Sequence, residues 1–144
     1  MTSTFPNRIP EDFWKILTRN GQSRTYSEGE VLFRSGSAAV GVFLIQSGRV
    51  SLQLDGGRGK KKIFENAGPG AILGLGEAIC GDPFKLTARA ATLTEICFVS
   101  RPCLLQFLRT TPLACMQVLQ LLSEDLRRLY QSLRQETSRS PRGT

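Results

Sequence analysis

Between Tyr26 and Val99 the sequence never sustains an apolar stretch long enough for a helix of ordinary length. The apolar residues come in short runs, Glu30 to Phe33, Val40 to Ile45, Arg49 to Leu54, Ile63 to Phe64, Ala71 to Leu75 and Ile96 to Val99, and the region is punctuated by glycine. Many short strands with turns at regular intervals imply a barrel or a sandwich. The turn chemistry agrees: Ser47-Gly48 joins two runs tightly, Asp55-Gly56-Gly57 is a hairpin signal, and Gly68-Pro69-Gly70 demands a corner where φ is either fixed or free to be positive.

On both sides of this region the period becomes helical. Pro10 and two acids start a short helix over 10–18 that carries Phe13, Ile16 and Leu17 on one face. After Val99 a helix over 101–109 is followed by Thr111 as N-cap, Pro112 at the first helical position and a long helix over 112–136. Cys115, Leu119, Leu122, Leu126, Leu129 and Leu133 repeat along it at spacings of four and three, which is a heptad seam. A single small barrel can cover only part of such a helix, so a parallel homodimer through this seam is expected. The polar segment 137–144 reads as a disordered basic tail.

Composition removes several chemistries. With 144 residues, 40% of them apolar, the chain fits one domain with a real core. It contains no histidine, and its four cysteines, Cys80, Cys97, Cys103 and Cys115, form no Cys-x-x-Cys pair. A histidine-based hydrolase triad and a histidine-held metal, including the cupin type of jelly-roll enzyme, are therefore excluded, and no catalytic residue is expected. The net charge of +7 concentrates in Arg58, Lys60, Lys61 and Lys62 and in Arg134, Arg139 and Arg142, with no interleaved aromatics. These clusters read as a solvated hairpin and tail rather than a nucleic-acid surface. No run of eighteen apolar residues and no signal-peptide pattern is present, so a cytoplasmic protein with no membrane contact is expected.

The residues Tyr26, Gly29-Glu30-Val31-Leu32-Phe33, Gly36, Val42-Phe43-Leu44-Ile45, Gly48-Arg49-Val50 and Gly68-Pro69-Gly70 together resemble the cyclic-nucleotide-binding domain superfamily. In particular they are similar to the sensor half of Crp/Fnr-type transcription regulators, over roughly residues 10 to 135. The resemblance implies a mainly β fold with flanking helices: a double-stranded β-helix, or jelly roll, over 22–100, with a short phosphate-binding helix inserted between two strands and a long dimerisation helix. It implies a ligand-sensing or dimerisation role, with a cyclic nucleotide or another small molecule as effector. Full-length relatives continue into a helix-turn-helix domain, whereas this sequence ends about ten residues after its long helix. It is therefore expected to be a fragment or a stand-alone sensor, reaching DNA only through an output domain it lacks. Iron–sulfur sensing would need cysteines near the N-terminus, and the first is Cys80.

The pocket segment of the family can be laid on this sequence in two registers. In relatives that bind the nucleotide, a Gly-Glu pair and a later Arg followed by a small residue hold the ribose and the cyclic phosphate. Matching letters alone selects Gly76-Glu77 and Arg89-Ala90-Ala91-Thr92. That register leaves only Leu93 to Val99 for two paired strands, which is too short. Counting back from Arg101 instead puts Phe84 where the arginine belongs, Leu75 at the glutamate position, Lys85 and Leu86 at the small positions, and Arg89 further along the strand. This second register is preferred. Counting from Pro112 likewise brings Leu129 and Tyr130 near the place where relatives offer adenine a polar pair.

The expected ligand segment is then Leu73, Gly74, Leu75, Gly76, Glu77 and Ala78 with Phe84, Lys85, Leu86, Thr87 and Arg89, an apolar pocket lined by Leu75, Phe84 and Leu86. Its phosphate site is degenerate. Lys85 and Arg89 keep an anion in play, and true cAMP or cGMP binding is the alternative.

Overall fold

The computed structural model describes residues 11–55, 61–113, 116 and 120. In chain order the elements are α1 (Glu11–Arg19), β1 (Gln22–Tyr26), β2 (Val31–Phe33), β3 (Gly41–Ser47), β4 (Val50–Asp55), β5 (Lys61–Ala67), β6 (Ile72–Leu73), α2 (Leu75–Cys80), β7 (Thr87–Ala90), β8 (Thr94–Ser100) and α3 (Arg101–Thr110). The strands form two antiparallel four-stranded sheets, ordered β1-β8-β3-β6 and β2-β7-β4-β5. This is the expected mainly β roll with flanking helices. Pro112, Leu113, Met116 and Gln120 are helical. The seam Cys115, Leu119, Leu122, Leu126, Leu129 and Leu133, the turn glycines Gly56 and Gly57, Arg58 and Lys60, and the tail 137–144 lie outside the described residues.

The two longest apolar strands are continuous because both of their faces are covered. Along β3 and β8, Phe43, Ile45, Ile96 and Phe98 point between the sheets into one core cluster. Val42, Leu44, Cys97 and Val99 point the other way, into a second cluster under the helices. There α1 contributes Phe13 and Leu17, and α3 contributes Leu104 and Leu108. The Phe13 and Phe107 rings meet at 4.9 Å. Complete burial of a side chain such as Leu104 contributes about 1.5–3 kcal/mol. Helix α3 starts where it does because Ser100 caps it: the Oγ accepts from the Cys103 backbone N at 3.4 Å, and Pro102 stands in the first turn.

The structure redraws two of the expected runs and adds a strand to them. The run Ala71 to Leu75 is a strand only over Ile72–Leu73, because Gly74 turns the chain into α2. The pair Ile63-Phe64 lies inside a longer strand, Lys61–Ala67, where polar Lys61, Lys62, Glu65 and Asn66 flank it. Strand β1, with the sequence QSRTY, has no apolar run and forms by pairing with β8 from Gln22↔Phe98 to Tyr26↔Thr94.

The thiol of Cys97 sits in the helical cluster, 3.7 Å from the Thr18 carbonyl oxygen, and burial pushes its pKa up. Because the folded thiol holds its proton to higher pH than the unfolded one, its contribution to stability is complete below the unfolded-state pKa and is lost as the pH climbs through the folded one. Exposed Cys80 is expected to be alkylated rapidly at mildly alkaline pH, while Cys97 stays protected until the chain unfolds. Peptide mass spectrometry after an iodoacetamide pulse reads both; equal labelling would contradict the burial.

Candidate functional site

The expected ligand segment is built on α2 and the chain that follows it. Gly74 precedes the helix with φ 84°, and a Cβ there would stand 2.7 Å from Cε1 of Phe84. Only glycine allows both the positive φ and the close approach of the ring. The helix ends at Gly81, whose N–H donates to the Glu77 carbonyl at 2.8 Å. The chain after it is pinned to the loop before β3. Gly36 N donates to Phe84 O at 2.8 Å, Phe84 N donates to Ser37 O at 2.9 Å, and Ala38 bridges Pro83. Together these bonds fix where the Phe84 side chain can go.

It goes between the sheets. Phe84 is 3% exposed and belongs to the inter-sheet cluster with Leu73, Leu86 and Ala88. Its ring stacks on Phe33 with centroids 3.9 Å apart and lies 6.3 Å from Phe43. Phe43 in turn meets Phe33 at 5.2 Å and Phe98 at 5.1 Å. Each such pair adds about 0.5–1.5 kcal/mol beyond the area it buries. Four phenylalanines thus pack together between the sheets.

Arg89 is elsewhere. On β7, Ala88 and Ala90 enter the inter-sheet cluster, so the alternation turns Thr87 and Arg89 to the outer face of the sheet. There Arg89 Nη1 donates to Gly29 O at 2.8 Å, and Thr87 Oγ1 accepts from Ser35 N at 3.0 Å. Glu77 stays on α2 and accepts from Lys85 N at 3.3 Å. Glu77 and Arg89 share no ion pair among the described residues. Lys85 is exposed, with Nζ 3.9 Å from Asp82.

Leu75 differs from the expectation. It was expected to line one pocket with Phe84 and Leu86, but it packs with Ala78 in the helical cluster, while Phe84 and Leu86 lie between the sheets. The reason is geometric: Leu75 opens α2, and the helix buries the side that carries Leu75 and Ala78 against β3 and α3. Gly76 and Glu77 are the half-buried remainder of that turn. Sequence reasoning also missed Arg24. The pairing Arg24↔Ile96 places it on the same face as Ile96 and Phe98, and its guanidinium lies 4.0 Å from the Phe98 ring centroid. Alternation counted back from Tyr26 was the one signal available for it.

Among the described residues no three His, Cys, Asp or Glu side chains gather to hold a metal ion, and no helix is long and apolar enough to cross a membrane.

The comparisons follow the fold. The model of the cyclic nucleotide-binding domain matches residues 23–111. No curated protein sequence matches the chain. Among solved structures, the catabolite activator protein of Thermus thermophilus is 23% identical, with a TM-score of 0.78 over 89% of this chain and 60% of its own. The c-di-GMP responsive global regulator CLP of Xanthomonas campestris is 19% identical, with a TM-score of 0.76 over 90% of this chain and 64% of its own. A cyclic nucleotide-binding-like protein of Brucella abortus is 28% identical, with a TM-score of 0.59 over 68% of this chain and 84% of its own. The chain spans 56%, 58% and 60% of the length of three of the longer relatives. Two facing sheets with an inserted short helix, and a family model that covers more than half of the sequence, lead to one conclusion: the chain belongs to the cyclic nucleotide-binding domain family.

Proposed function

We propose that this chain is a regulatory sensor domain of the Crp/Fnr type whose cyclic-phosphate site is degenerate, and that its signal leaves through a homodimer formed by the long C-terminal helix. The observation that carries the reading is the exchange of environments at two residues. Phe84 fills the space between the sheets beside α2, and the nearest candidate guanidinium of the segment, Arg89, is held on the outer face by Gly29. A cyclic phosphate brought to this place would meet aromatic carbon instead of charged donors. Hydrogen bonds to charged groups contribute roughly 1.5–3 kcal/mol each, so two missing ones weaken binding by about two to four orders of magnitude. The CLP regulator is named as c-di-GMP responsive, which favours an effector other than a cyclic mononucleotide on this fold. In the proposed mechanism the effector shifts the long helix because it binds one helix position better than the other.

Calorimetric titration with cAMP and cGMP tests the pocket. The expected result is no saturable heat at micromolar concentrations. Micromolar binding that disappears in Arg89→Ala would restore nucleotide sensing as the answer. Sedimentation equilibrium on the same sample is expected to show a dimer that Leu126→Asp converts to monomer; a wild-type monomer at the same concentration removes the seam from the proposal.

A further inference from the structure

Arg101 is a half-buried cation with no anion among the described residues. Its backbone N donates to Val40 O at 2.8 Å and its Nε donates to the Ala78 carbonyl, so the residue ties the start of α3 to the approach to β3 and to α2. Among the described residues no carboxylate pairs with it, which leaves both terminal nitrogens of the guanidinium without a partner. Against it lies an open surface cleft of about 450 Å³ lined by Ala38, Ala39, Val40, Gly81, Pro83 and Pro102, with Arg101 the one charged lining residue. Val40 is 59% exposed and shares this surface with the two prolines. The cleft is on the outside of the roll and shares no residue with the Phe84 cluster beyond Ala39, which reaches both.

These observations specify an occupant. A partly desolvated guanidinium with free donors takes a carboxylate in a forked pair. A volume within the range of small-molecule pockets leaves room for a body attached to that carboxylate, and the walls require the body to be apolar. A bare inorganic anion would satisfy the charge and leave the aliphatic walls in water. We propose that this cleft is an effector site for a small organic carboxylate with a compact apolar body, read out through Arg101. Occupancy there braces the junction of α2, β3 and α3 without involving the space between the sheets. The proposal stands on residues that the nucleotide titration does not interrogate, so the two succeed or fail separately.

The test is a titration of the isotopically labelled chain followed by amide chemical shifts, with benzoate as probe, benzamide as its neutral counterpart and inorganic phosphate as the bare anion. Benzoate is expected to give saturable shifts centred on Val40, Gly81 and Arg101, with benzamide at least about tenfold weaker. Arg101→Gln is expected to lose the same factor. Because that variant also breaks the link to Ala78, Val40→Glu serves as the second variant: it changes an exposed side chain, places a carboxylate beside the guanidinium and should abolish benzoate binding in a folded protein. Four results overturn the proposal. They are the absence of saturable shifts, shifts centred on the Phe84 cluster, equal binding of benzamide or of phosphate, and benzoate binding that survives Val40→Glu.

Discussion

Phe84→Ala is expected to lower the free energy of unfolding by about 3–5 kcal/mol, at the upper end of single core truncations. The ring is 3% exposed, stacks on Phe33 at 3.9 Å and fills the hollow left by Gly74, whose missing Cβ would approach it to 2.7 Å. Removing it opens a void among Phe33, Phe43 and Leu86 that the two sheets cannot close, because the hydrogen bonds of Gly36, Ser37 and Phe84 hold the backbone in place. Urea denaturation reads the effect as a fall in the midpoint with an unchanged slope. A loss below about 1 kcal/mol would mean that the ring is not packed as described and that the space beside α2 is open. The same measurement therefore bears on the proposed function: a large loss would support a ring packed tightly enough to keep a nucleotide out.

The second large effect separates two glycines of the same φ. Gly29 and Gly48 both have φ of 93°, but nothing lies within 4 Å of a Cβ added at Gly29, whereas one at Gly48 would stand 2.4 Å from the Leu93 carbonyl oxygen and 2.7 Å from the Thr94 Cα. Gly29→Ala is expected to cost about 1 kcal/mol, the price of the left-handed conformation alone. Gly48→Ala adds a clash between two pieces of backbone that cannot rotate away, and is expected to cost about 3 kcal/mol or more. Thermal melts of the two variants, run side by side, check the difference. Equal losses would show that the β3–β4 turn and the β7–β8 turn are not in contact.

How far the site could be read from the sequence is best seen at β7. Motif letters pointed to Glu77 and Arg89 as a pair, while strand length pointed to Phe84 in the position of the phosphate ligand. The strands run Thr87–Ala90 and Thr94–Ser100 with a three-residue turn. Counting could offer Phe84 for that position because spacing along a chain is a local property. It could not place Leu75, since Leu75 belongs to a helix whose buried side is chosen by β3 and α3, both distant in sequence. Arg24 escaped for a related reason: an edge strand of polar residues has no pattern of its own and acquires a face only when it pairs with β8.

The sequence by itself determined the class of fold, the turns and the absence of histidine chemistry, because apolar period, glycine placement and composition are all readable within a few residues of where they act. Only the tertiary structure decided which side chains share a space. Pairing Ser51 with Arg89 and Leu52 with Ala88 sends the guanidinium outward and the small residue inward; a shift of that pairing by one position would exchange them, and the strand Thr87–Ala90 carries the alternation but not the partner, which is distant in sequence. The cleft at Arg101 is the same lesson at longer range, since its walls come from three segments that meet only after the sheets have formed.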